Sequence, residues 1–205
     1  MVVTEGVLVG DWFQTIVDVQ VTSEDAGALA TEVRDWLSSA GVVSSERTDC
    51  VLGSDLGHPP GPRADEVVDA SGWSDPWQTL WTNGMDITTG RTVFDGGQGE
   101  PTAVACPHCA AEIELVDEAF ELDDKAWAPF QDVVHGWSEG RDVILPCPTC
   151  SHPVEPTAWK WADGYFAFGR LGFTFWNWPP LRPGFVDEFT RRLRGHRTVL
   201  IAGKL

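Results

Sequence analysis

Between Phe13 and Val21 the chain reads FQTIVDVQV, a β-prone run in which Ile16, Val17, Val19 and Val21 supply the apolar positions. Polar residues close it. Thr22 and Ser23 offer capping oxygens, and Glu24 and Asp25 are acids placed where the positive end of a helix dipole favours them. Leu29, Val33, Trp36 and Leu37 then recur at helical spacing. Gly41 follows, where helices commonly end in a left-handed residue. The pattern predicts a strand and then an amphipathic helix.

Residues 53–77 break the pattern. The stretch GSDLGHPPGPRADEVVDASGWSDPW is rich in Gly, Pro, Asp and Ser, and Pro59, Pro60 and Pro62 forbid regular structure locally. Loops of this length are usually functional or disordered. Short β-prone runs follow, punctuated by Asn83-Gly84 and Thr89-Gly90, and the glycine-rich GGQGE at 96–100 reads as a hairpin turn. Thr102–Ala105 leads as a strand into a cysteine pair. Phe130, Val133, Val134 and Trp137 keep helical spacing across 124–138, with Asp123 and Asp124 suited to its start and Pro129 tolerable only early or at a kink.

The C-terminal part alternates. In YFAFGRLGFTFWNW, Phe166 and Phe168 share one parity, and Phe173 and Phe175 share the other. The change across Gly169–Gly172 predicts a bulge or a tight turn, since one extra residue flips every side chain. Phe185, Phe189 and Leu193 mark a short helix that Gly195 stops, and Thr198–Ala202 is a final strand. Strand–helix at the start, a strand within 79–94 and strand–helix–strand at the end give βαββαβ, the order of a ferredoxin-like α+β antiparallel sheet sandwich. Residues 1–100 and 160–205 would form that domain together, with Phe13–Val21 beside Thr198–Ala202. Residues 101–159 would be an inserted zinc-binding module.

Composition narrows the partners. A chain of 205 residues with eleven Trp and ten Phe has ample material for one core. Fourteen basic against 31 acidic side chains leave a net charge of −17, and a surface of that sign repels a phosphate backbone. A nucleic-acid reader would need its few cations gathered on one face. The expected partner is therefore a protein or a small ligand, with the acidity itself serving solubility. MVVTEGVLVGDWFQ lacks the basic start of a secretory signal, and no run approaches the roughly 18 apolar residues of a membrane span. A soluble, cytoplasmic protein is expected.

Chemistry concentrates in CPHC at 106–109 and CPTC at 147–150. Each C-x-x-C turn presents two sulfurs, and two turns complete the four-thiolate tetrahedron that zinc prefers. Cys106, Cys109, Cys147 and Cys150 resemble the knuckles of zinc-ribbon modules, and less closely those of rubredoxin-type iron sites. The resemblance is confined to these residues and their neighbours, and it implies a structural Zn2+ ion. Two departures stand out: Ala110 and Ser151 occupy positions that are usually glycine in such knuckles, and residues 110–146 make a long span between the pairs. A redox dithiol is the competing reading, but such motifs open a helix after a βαβ pattern, and neither pair does. His108 and His152 beside the knuckles are expected to face solvent, and Cys50 to be a core residue.

No G-x-S-x-G elbow, H-E-x-x-H helix or phosphate-binding glycine loop occurs, so no catalytic residue is assigned. One possible ligand pocket is built by the 53–77 loop, with His58, Arg63 and Asp65 converging beside Trp73 and Trp77. Trp73, Trp77 and Trp81 after the loop and Trp159, Trp161, Trp176 and Trp178 around the second knuckle are expected mostly to fill the core, and a few left exposed would line a groove for a peptide or small ligand. Arg191, Arg192, Arg194 and Arg197 form the only basic cluster along the chain.

Overall fold

In the computed structural model, which describes residues 10–72 and 76–205, the first β-prone run becomes strand β1 (Trp12–Asp18). The N-terminal residues 1–9 lie outside the described region. Asp18 ends β1. Its buried carboxylate accepts the amides of Gln20 and Val21, each at 2.9 Å, and turns the chain toward helix α1 (Ala26–Ser39). The helix starts later than Thr22 and Ser23 predict: Asp25 is the N-cap residue, and the Thr22 hydroxyl accepts the Asp25 amide instead. Its end is as expected. Gly41 takes a φ of 72°, and the Val42 amide reaches back to the Leu37 carbonyl, which closes the last turn.

Further along lie β2 (Gly84–Asp95), β3 (Ala103–Ala105), β4 (Glu112–Glu114) and α2 (Asp124–Ser138). Then come β5 (Leu145–Pro146), β6 (Pro153–Val154), β7 (Lys160–Trp161), β8 (Phe166–Trp176), α3 (Pro183–Arg192) and β9 (Thr198–Lys204). The result is a mixed α/β arrangement with three α-helices and antiparallel sheets among the described residues. The main sheet has the order β2-β8-β1-β9, and every neighbouring pair runs antiparallel. Ile16 stands opposite Phe173 on one side and Leu200 on the other, so the first and last runs are indeed adjacent strands. Among the described residues, no helix is long and apolar enough to cross a membrane.

One face of this sheet packs on α1 and α3. Ile16, Phe173 and Phe175 meet Leu29, Val33 and Leu37 from one helix and Phe185 and Phe189 from the other. Burying a Phe of this kind is worth about 3 kcal/mol relative to leaving it in water. The opposite face is covered as well, by Phe94 and Ala167 lying on Phe13, Val17 and Ile201.

That second covering explains the parity change in β8. No turn interrupts the strand; β8 is continuous, and its two halves serve different cores. Phe173 and Phe175 belong to the helix side, while Phe168 belongs to the cluster around the cysteines, with Phe166 packed against it. Glycine permits the fold-over. A Cβ on Gly172 would lie 2.4 Å from the Phe94 ring, and one on Gly169 would lie 2.6 Å from a Val17 methyl. The irregular pairing occurs on the partner strand, where register shifts between Thr89 and Thr92 and Gly90 adopts a φ of 102°. Thr89-Gly90 is thus a bulge inside one long strand, not a turn between two. GGQGE is not a hairpin turn either, because Gly97 bridges Lys204 at the end of β9 and draws β2 toward that strand.

Candidate metal centre

Each cysteine pair caps a small hairpin. β3 runs into Cys106, whose amide donates to the Ala111 carbonyl (2.9 Å), while the Ala110 amide donates to the Cys106 carbonyl (3.0 Å) before β4 begins. The second pair repeats the scheme between β5 and β6. The Cys147 amide donates to His152 (2.9 Å), and the Ser151 amide donates to Cys147 (2.8 Å). The residues that replace the usual glycines adopt the glycine conformation, with φ 57° at Ala110 and 61° at Ser151. The departure noted in the sequence therefore changes side chains and leaves the turn geometry intact.

The hairpin tips face one another. Cys106 Sγ and Cys150 Sγ are 3.8 Å apart, as are Cys109 Sγ and Cys147 Sγ, and all four sulfurs lie within 4.8 Å of one another. A tetrahedron built on metal–sulfur bonds of about 2.3 Å has edges of about 3.8 Å, so the donor set fits a thiolate-bound ion. A disulfide needs about 2.05 Å, and these cysteines are free thiols. The amides of His108 and Thr149 point at Cys106 Sγ and Cys147 Sγ, both at 3.4 Å, and favour negative charge there.

The ionisation of the group follows from its crowding. Donation from the Cys150 amide, with help from Thr149 and neighbouring thiols, lowers the Cys147 pKa to about 6. Cys150 receives the His152 amide, which favours its thiolate, yet burial and the sulfurs of Cys109, Cys147 and Cys106 push it up to about 12. Four adjacent thiolates repel, and a cation among them removes that conflict. His108 and His152 are exposed, stack on each other with ring centroids 5.0 Å apart, and do not join the four-sulfur group.

Behind the knuckles sits an aromatic cluster. Phe130, Val133 and Trp137 from α2 pack with Val104, Leu115, Trp159, Trp161 and Phe168. The helix begins at Asp123, whose carboxylate caps the amides of Lys125 (2.8 Å) and Ala126 (3.2 Å). Pro129 lies inside it.

The residues assigned to the 53–77 loop are distributed. His58 exchanges backbone hydrogen bonds with Met85 (2.8 Å each way), and its Nδ1 meets the Ser44 carbonyl at 2.9 Å. It lines a cavity of about 150 Å3 with Arg34, Arg47 and Asp86, and burial lowers its pKa. Arg63 pairs with Glu66 at the surface (2.6 Å). Asp65 accepts the indole N–H of Trp77 (2.9 Å), and Trp77 is buried against Trp178. Asp65 and Trp77 are thus joined, His58 lines a separate cavity, and Trp73 lies outside the described residues. Trp159, Trp161 and Trp176 are also buried, whereas Trp81 is exposed, so most of the tryptophans fill cores instead of lining a groove.

The C-terminal basic cluster is dispersed too. Arg191 and Arg192 both pair with Glu188, Arg194 pairs with Glu32, and Arg197 points away to the Thr157 carbonyl. In its place Arg91, Arg170 and Arg197 line a single cleft. Nothing in linear order links those three, and only the pairing of β2 with β8 brings the first two together. Comparison of the chain with protein-family models, with curated proteins and with solved structures found no match.

Proposed function

We propose that this chain is a zinc-stabilised binding protein whose metal is structural. The observation that carries the reading is the approach of four cysteine sulfurs from two matching hairpin tips, with 3.8 Å between the paired atoms. Cys106, Cys109, Cys147 and Cys150 would hold the ion. Bound there, zinc neutralises the thiolates and ties the β3–β4 and β5–β6 hairpins together. Four thiolates fill a tetrahedral shell, and a catalytic zinc needs one position left for water. The chain's own part is binding, through protein contacts, and no reaction is assigned to it.

We read the main sheet as ferredoxin-like. Numbering its four strands along the chain gives the spatial order 2-3-1-4, and α1 and α3 follow the first and third strands on one face. Residues 101–159 then form a zinc-ribbon-like insertion between the second and third strands.

Metal analysis of protein purified without chelator tests the reading. About one zinc per chain is expected, and Cys109→Ser or Cys150→Ser should lose it. Freely titrating thiols with no metal would sink the proposal, and a red iron chromophore would replace it with electron transfer. Affinity capture from the native extract addresses binding. A partner retained by wild-type protein and lost by Cys109→Ser supports it. No partner, with a co-purifying small molecule, favours a ligand receptor instead.

A further inference from the structure

The cleft lined by Arg91, Arg170 and Arg197 has a volume of about 610 Å3, within the range of small-molecule sites. It opens at the seam where β2 and β8 meet the end of α2 and the segments around Asp142 and Glu155. Trp137 forms its floor. That ring is buried and fixed by an indole N–H bond to the Thr92 carbonyl (3.0 Å). The Arg91 guanidinium carbon lies 4.0 Å from the ring centroid and that of Arg170 lies 5.1 Å away. Stacking on an indole holds a guanidinium's plane and leaves its N–H edge free to donate.

These arginines are incompletely satisfied. Arg91 donates to the Arg141 carbonyl and, at 3.4 Å each, to the Gly140 carbonyl and the fully exposed carboxylate of Asp142, while its buried Nε has no partner among the described residues. Arg170 has only its contact with Trp137 among the described residues. Arg197 gives one N–H to the Thr157 carbonyl. Asp142 and Glu155 also line the cleft, so three guanidiniums face two carboxylates. In a chain with 14 basic residues and a net charge of −17, that is a local reversal of sign.

We propose that this cleft binds a phosphate group, either as the free ion or as the monoester of a small molecule. A carboxylate can occupy one guanidinium fork. A phosphate dianion offers three terminal oxygens in different directions, which suits the free N–H groups of Arg170 on β8 and of Arg197 just before β9, with the Arg91 charge on β2 beside them. The cleft exceeds the size of the bare ion, and Val143 and Ile144 on its wall supply apolar surface for an organic remainder.

Titration calorimetry of the full chain, as purified and with its metal content recorded, tests this with inorganic phosphate, ribose 5-phosphate, adenosine 5′-monophosphate and acetate. Binding of at least one phosphate compound and not of acetate is expected, with the tighter compound telling ester from free ion. Arg170→Gln and Arg197→Gln should each weaken binding about tenfold or more, the usual loss for a hydrogen bond to a charged group. Arg191→Gln, outside the cleft, should leave it unchanged. Absence of binding by every phosphate compound at millimolar concentration, or equal affinity in the two cleft variants and wild type, would overturn the proposal. Phosphate binding by metal-free protein would instead tell against the zinc reading alone.

Discussion

Ala110 and Ser151 provide the most direct probe of the knuckles. Both are exposed and both hold a left-handed backbone, at φ 57° and 61°. That conformation costs a residue with a Cβ about 1–2 kcal/mol. Glycine removes the cost and returns about 0.5–1 kcal/mol of it through the greater freedom of the unfolded chain. The balance is about 0.5–1 kcal/mol per site. No buried surface is lost, since neither side chain is buried. If the turns close only when the sulfurs gather round an ion, the gain is expressed as metal affinity. The double variant Ala110→Gly/Ser151→Gly should then bind zinc about 5- to 30-fold more tightly, at 1.4 kcal/mol per factor of ten. Competition against a chromophoric chelator at fixed pH measures this, and urea unfolding of the loaded protein should shift the same way. A double variant that binds zinc no better than wild type would refute the argument, because the left-handed turns would then be unstrained or present without metal.

Three other outcomes are expected. Asp18→Ala strands the Gln20 and Val21 amides and the His196 Nδ1 that sits 2.7 Å from the carboxylate, and should cost about 3–5 kcal/mol in chemical unfolding. Gly172→Ala should destabilise by about 1–3 kcal/mol through collision with Phe94, whereas Gly27→Ala, with open space around it, should stabilise α1 by about 0.5 kcal/mol. His58 has a pKa lowered in the fold, chiefly by burial, so the unfolded chain takes up its proton more readily. Its contribution is therefore complete above the ordinary value of about 6.5 and is lost as pH falls from there through the folded value. His58→Gln should flatten the fall in urea midpoint between pH 7.5 and 5, and an unchanged slope would contradict the burial argument.

What the sequence made legible was whatever is local. The helical spacing of Leu29, Val33 and Leu37 places α1, that of Phe130, Val133 and Trp137 places α2, and C-x-x-C is a contiguous turn. Its expected sulfurs are the ones that meet. Helix α1 was misjudged by a few residues at its start because Thr22 and Ser23 cap well in isolation, while Asp18 and the turn it organises decide where the chain enters the helix. Long-range choices were not legible. A parity change in β8 records burial in two cores, but the same letters fit a turn. Thr89-Gly90 has turn chemistry, yet pairing with β8 carries the strand straight through it. Most of the tryptophans are core residues, as their usual burial predicts, but which of them stays exposed was not legible, because periodicity says which residues share a side and not what covers it. Arg91, Arg170 and Arg197 meet only after the sheet has formed and folded over.

The double allegiance of β8 has a consequence for cooperativity. Phe168 stands among the residues behind the cysteines, and Leu171, three positions along the same strand, stands in the helix-side core. One hydrogen-bonded ribbon with β2 runs through both. The region around the four cysteines therefore cannot melt as a detachable unit, since its loss exposes Phe166 and Phe168 and loosens the strand that anchors the main sheet. Calorimetry should register one transition that metal removal lowers as a whole, not two that separate. For the same reason residues 103–161 are a poor cassette: moved to another sheet, they would leave behind the phenylalanines that complete their own interior.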